Sequence, residues 1–74
     1  MTDEQAIREA GEALFGPRWQ SDVARLLGVL NVRVRDWQAG RRPVPADVWT
    51  PLAKALKDNA KKSERLAEKI ADRA

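Results

Sequence analysis

No cysteine and no histidine occur in this chain of 74 residues. Without cysteine, neither disulfides nor thiolate metal sites can staple the fold. Without histidine, the commonest metal ligand and the usual general base near neutral pH are both missing. Catalysis would then fall to carboxylates or lysines in a pocket, and so short a chain rarely encloses one. No glycine-rich phosphate loop is present either. We therefore expect no enzyme, no catalytic residues, no metal, no cofactor and no small-molecule substrate. No apolar run approaches the roughly 18 residues needed to cross a bilayer, and no signal-peptide core follows Met1. The expectation is a cytoplasmic protein, nucleoid-associated if it binds DNA, with no membrane partner. Aromatic residues are few, three tryptophans and one phenylalanine. One domain with a small core of Leu, Val, Ile, Trp and Phe15 is what this length allows, with oligomerisation as a further source of stability.

The net charge of +3 is modest, but it is unevenly spread. Residues 1–15 set Arg8 against Asp3, Glu4, Glu9 and Glu12, a balance of −3. Residues 16–44 set six arginines against Asp22 and Asp36, a balance of +4. Residues 45–74 carry seven bases and five acids, and those bases are lysines apart from Arg65 and Arg73. Arginine presents a planar fork suited to guanine or phosphate, whereas lysine more often solvates a helix face. Nucleic-acid chemistry is thus concentrated in the middle of the chain.

Thr2-Asp3-Glu4-Gln5 has the form of a capping box, so a first helix should begin near Asp3 and bury Ile7, Ala10 or Gly11, and Leu14. Gly16-Pro17 stops it, and Phe15 and Trp19 on either side should both turn into the core. Trp19, Trp37 and Trp49 read as core anchors rather than as stacking platforms. A second helix is expected from about Gln20 to Leu27 and a third from about Asn31 to Gln38. Leu30 to Arg35 alternates apolar and polar residues in the manner of a half-buried strand. Helix is favoured there, because no partner strand is visible and a lone strand leaves its backbone unsatisfied. Ala39 to Pro43 is a loop, with Gly40 expected as the helix C-cap. Pro51 interrupts the next helical stretch. Either it kinks a helix begun at Pro45, or Thr50 caps a new one; the second is preferred. Beyond it, Leu52, Asn59 and Leu66 repeat at seven, as do Leu56, Ser63 and Ile70. This ragged heptad suits a charged amphipathic helix that pairs two copies, packs on its own domain or frays.

Gln20 to Val29, followed by Val34 and Trp37, carries the clearest pattern. Val23, Ala24 and Leu27 lie at helical spacing, and Val34 and Trp37 form an i, i+3 pair. Small Ala24 lets two helix backbones approach, Gly28 tolerates the positive φ that ends the first helix, and Val29 plugs the corner. This segment resembles the helix-turn-helix of the phage-repressor (Cro-like) DNA-binding domains over roughly residues 18–42. Gly16-Pro17-Arg18-Trp19-Gln20-Ser21-Asp22 together with Gly40-Arg41-Arg42-Pro43 is similar to small bacterial and phage regulators of that group.

The resemblance implies an all-α, lambda-repressor-like bundle of four to five short helices. Residues 1–57 would form the DNA-binding domain, with the motif at about 20–39, and residues 58–74 the C-terminal helix. It further implies a transcription regulator that inserts the helix Asn31–Gln38 into the major groove of double-stranded DNA as a dimer. Asn31, Val32, Arg35 and Asp36 match base-facing positions. Gln20 matches the phosphate-anchoring glutamine, with Ser21 beside it, and Arg18, Arg33, Arg41 and Arg42 suit phosphate contacts. Asp36 either accepts from cytosine or balances Arg33. Leu30 stands where a Ser or Thr commonly caps the recognition helix. Asn31 therefore either caps that helix or reads a base. The alternative is a protein-interaction module, antitoxin-like or adaptor, that keeps the fold without reading DNA and docks through its C-terminal helix.

Overall fold

A computed structural model describes residues 1–73; Ala74, the last residue of the C-terminal segment, lies outside the described residues. The described chain is all-α, with four helices, one short 3₁₀ turn and no strand. Helix α1 spans Asp3–Phe15. Thr2 Oγ1 accepts from the Gln5 backbone N–H at 3.1 Å, and Gln5 Oε1 accepts from the Thr2 N–H at 2.9 Å. Two orphan amides of the first turn are thereby satisfied, and Asp3 and Glu4 suit the positive end of the helix dipole.

Ile7 and Gly11 are the buried residues of α1, with Ala10 and Leu14 packed at the margin. Trp19 turns into the core at 2% exposure, whereas Phe15, expected beside it, is 39% exposed. At 100° per residue Phe15 sits roughly 75° round the helix from the mean direction of Ile7, Gly11 and Leu14. The space beside that stripe is taken by the indole of Trp19. A Cβ built on Gly11 would lie 2.3 Å from Trp19 Cε3, so the ring rests directly on the α1 backbone.

Helix α2 spans Gln20–Leu27 and helix α3 spans Asn31–Gln38. Gly28, in the left-handed region at φ 70° and ψ 33°, ends α2. The Val29 N–H returns to the Ala24 carbonyl at 2.9 Å, which swings Val29 against the core. Residues 30–35 are helical after Leu30, and the alternation there has a simple origin. Val34 is buried, while Leu30 and Val32 are apolar residues left in solvent. At the other end Ala39 is the C-cap, and the expected cap Gly40 lies one residue beyond at φ 76°.

Pro45 leads into the 3₁₀ turn Ala46–Val48, and helix α4 follows from Trp49 to Ala71. Thr50 therefore caps nothing. The 3₁₀ turn feeds straight into α4, the cap position falls on Val48, and Pro51 becomes the third helical residue. A missing N–H in that first turn leaves no hydrogen bond unmade, so the helix is not broken. Ile7, Trp19, Val23, Ala24, Val34, Trp37, Val48 and Leu52 form one core joining all four helices. Only the first two turns of α4 reach it. From Lys57 to Arg73 every side chain is exposed, yet the helix continues unbroken to Ala71 instead of fraying or folding back. The result is a globular head with a projecting rod, 48 × 23 × 21 Å.

Candidate nucleic-acid interface

The rotation of α3 about its own axis decides which side chains it offers. Val34 and Trp37 are its buried residues. At 100° per residue, the direction opposite them is held by Val32, flanked by Arg35 and Asp36. Val32 is 57% exposed. Asn31 and Gln38 fall on the flank towards α2, and Arg33 on the flank away from it.

Two cross-helix hydrogen bonds hold that rotation. Near the start of α3 the Asn31 side-chain amide donates to Ser21 Oγ at 3.1 Å. At its end Gln38 Oε1 accepts from Gln20 Nε2 at 3.1 Å, partly buried. Asn31 makes no side-chain cap; Leu30 holds the cap position in extended conformation, and no side chain caps the helix. One amide hydrogen of Asn31 is used on Ser21, leaving its second N–H and its carbonyl oxygen open. Ser21 keeps its own O–H to donate.

Asp36 is neither open nor paired with Arg33. Its Oδ1 accepts from Arg41 Nε at 3.0 Å, and its Oδ2 lies 3.5 Å from Arg42 Nε. The Asp36 backbone carbonyl also accepts from the Arg41 N–H at 2.9 Å, because Gly40 turns the chain back over the last turn of α3. This carboxylate, 20% exposed, therefore docks the arginine loop onto the helix. Its partners lie five and six residues ahead across a glycine. That local spacing, together with a helix C-terminus at Ala39, is a signal sequence reasoning passed over.

Among the described residues Arg18, Arg33 and Arg35 make no ion pair and no side-chain hydrogen bond. All three are exposed. Arg25, by contrast, is tied to Asp22 within α2 at 3.1 Å. The structure thus gathers Arg35 and Val32 on one face of α3, brings Arg41 and Arg42 to its C-terminal end, and joins Gln20 and Ser21 to its α2 flank. Arg18 stands apart on the turn into α2.

Beside the α2–α3 turn lies an open groove of about 590 Å³, whose lining includes Leu27, Leu30, Arg33, Trp37, Pro45 and Asp47. Leu30 is 71% exposed at its edge. A second groove, about 430 Å³ and lined almost wholly by apolar side chains, separates α1 from the first turns of α4. No helix among the described residues is long and apolar enough to cross a membrane, and no cluster of three acidic side chains there is placed to hold a metal ion. No family model matches this chain, and neither a curated protein nor a solved structure is found to match it.

Proposed function

We propose that this chain is a helix-turn-helix regulator that binds double-stranded DNA sequence-specifically, with α3 as the recognition helix. One observation carries the reading. The solvent face of α3 presents unpaired Arg35 beside Val32, with unpaired Arg33 on its flank, next to an arginine pair that Asp36 holds against the same helix. Arg35 is suited to guanine O6 and N7, and Val32 to a thymine methyl. Asn31 retains one donor and one acceptor, enough for a bidentate contact with adenine. Arg18, Arg33, Arg41 and Arg42 grip phosphates, as do the Ser21 hydroxyl and the α2 N-terminus beside Gln20. Asp36 positions the Arg41-Arg42 loop instead of reading a base. An eight-residue helix offers few base contacts, so two copies on adjacent half-sites supply the affinity.

The test is a salt titration of binding to mixed genomic DNA fragments, with sequencing of what is retained. A steep fall of affinity with salt and an enriched palindromic motif support the reading. Salt-sensitive retention without enrichment reduces it to nonspecific phosphate binding. A second reading rests on exposed Leu30 and Val32 and the groove beside them, which suit a protein partner as well as a thymine methyl. No retention at low salt, with a stoichiometric protein recovered in a pull-down that buries Val32, would favour that interaction module.

A further inference from the structure

The projecting half of α4 leaves apolar surface without a partner. Leu66 is 57% and Ile70 58% exposed on a helix that touches nothing at that depth. They continue the line of Leu52 and Leu56, which form one wall of the apolar groove against α1. A straight helix cannot fold its own end back into a groove that its beginning helps to build. Leu52 and Ile70 are held roughly 27 Å apart by the helical rise alone. The occupant must come from outside the molecule.

Area and spacing both point to a second copy. The chain exposes 5595 Å². A compact protein of this mass exposes about 4,600 Å², so the excess is about 1,000 Å². A standard interface takes about 800 Å² from each partner. Along the stripe, Leu52, Leu56, Asn59, Ser63, Leu66 and Ile70 are separated by four, three, four, three and four positions. That series reads the same from either end. Set antiparallel against itself, it lays Leu66 of one copy over Leu56 of the other, sets Ser63 against Asn59, and brings Ile70 to the groove whose lining includes the buried Leu52. Apolar meets apolar, and the polar layer meets its own counterpart at the centre, where it fixes the register. The flank turned to α1 carries Ala53, Ala60 and Ala67, small enough for close approach.

We propose that two copies of this chain pair through antiparallel α4 helices, the projecting end of each seated in the α1–α4 groove of the other. The pairing is isologous, so it closes at a dimer. It stands on exposed surface alone and holds or fails independently of DNA binding.

Sedimentation equilibrium of the full chain without DNA, over a wide concentration range, tests it. The wild type should be a dimer. In Leu66→Lys/Ile70→Lys the dissociation constant should rise at least about a hundredfold, since each buried Leu or Ile is worth roughly tenfold or more. Both residues lie outside the core, so far-UV circular dichroism of the variant should still show a folded head. A wild type that stays monomeric throughout overturns the proposal and assigns the groove to a different protein. A variant that pairs as well as wild type overturns it too. Orientation is read by mixing Asn59→Cys with Ser63→Cys chains under oxidation, cleanly because the chain has no cysteine of its own. The mixed disulfide should outrun both symmetrical ones; the reverse order means parallel helices and sinks the register.

Discussion

Replacing Gly11 by alanine should destabilise the fold, against the usual direction of that change. In a helix interior, Gly→Ala normally stabilises by about 0.5–1 kcal/mol. Here the new methyl would meet Trp19 Cε3 at 2.3 Å, Cδ2 at 2.4 Å and Cγ at 2.9 Å. Carbon atoms pack best at about 3.5–4.0 Å, so the indole would have to retreat by more than about 1 Å. Trp19 is 2% exposed and packed within the core cluster. A forced shift of this kind typically costs about 1–3 kcal/mol. Full expulsion of the ring would forfeit roughly 4–6 kcal/mol, from an indole burying 150–250 Å² at about 25 cal/mol per Å². The shift is the cheaper response. Set against the helix-propensity gain, it leaves a net loss of about 1–2 kcal/mol out of a total of roughly 4–11 kcal/mol for a chain of this size. Urea unfolding at one fixed protein concentration, followed by circular dichroism and tryptophan emission, should show a lower midpoint. A higher midpoint for Gly11→Ala would refute the packing argument. Trp19 also immediately precedes α2, so the same variant should bind DNA more weakly.

Three further outcomes follow from the geometry. Arg35→Ala should relax sequence preference, whereas Arg41→Ala should weaken all duplexes alike and lower the salt slope by about one, as read by anisotropy on selected and scrambled DNA. If Arg35→Ala leaves the specific-to-nonspecific ratio intact, the assigned groove contact is wrong. Asp36→Asn should change stability by less than about 1 kcal/mol, because its arginine partners face solvent. With a negative charge gone and the loop unlatched, nonspecific affinity should rise and the ratio should fall; an unchanged ratio would leave Asp36 no positioning role. Thr2→Ala removes the side-chain half of the capping box and should cost about 1 kcal/mol in urea unfolding, while DNA affinity per folded molecule stays as it was.

The helix boundaries were legible because their signals are local. Thr2 and Gln5 announce α1 through side-chain bonds three residues apart, and Gly28 ends α2 by a φ that few other residues adopt at ease. Phe15 and Thr50 were misread for reasons outside the helical pattern itself. Phe15 lost its place to a ring from beyond the Gly16-Pro17 turn, a competition decided by the space above Gly11. Thr50 lost the cap because the Val48 N–H already returns to the Pro45 carbonyl at 3.3 Å, starting the helical path before Thr50 is reached. Neither outcome leaves a trace in periodicity.

The interface divides along the same line. Arginine content marks out the stretch of chain that the proposed interface uses, since charge is read from composition alone. Which polar groups remain free was hidden, because Asn31–Ser21 spans ten residues and Gln20–Gln38 eighteen, and only the crossing of α2 over α3 brings them together. That crossing has a consequence for specificity. Gln20, Ser21, Asn31 and Asp36 each already serve the fold, so replacing any of them changes the orientation of α3 together with its chemistry. Arg35 and Val32 serve nothing inside the molecule. They face away from Val34 and Trp37, and their replacement leaves the core and both seam bonds untouched. If base identity is read by this helix, a change of preferred sequence without loss of stability can come only from those two positions, with Arg33 at the margin. Val32→Ala and Arg35→Lys, selected against random duplexes, should therefore shift the preferred motif at adjacent base pairs while leaving the urea midpoint in place. A shift produced instead by Asn31→Ser, with the midpoint equally unmoved, would mean that the Ser21 bond yields on binding and that α3 reads DNA from its α2 flank.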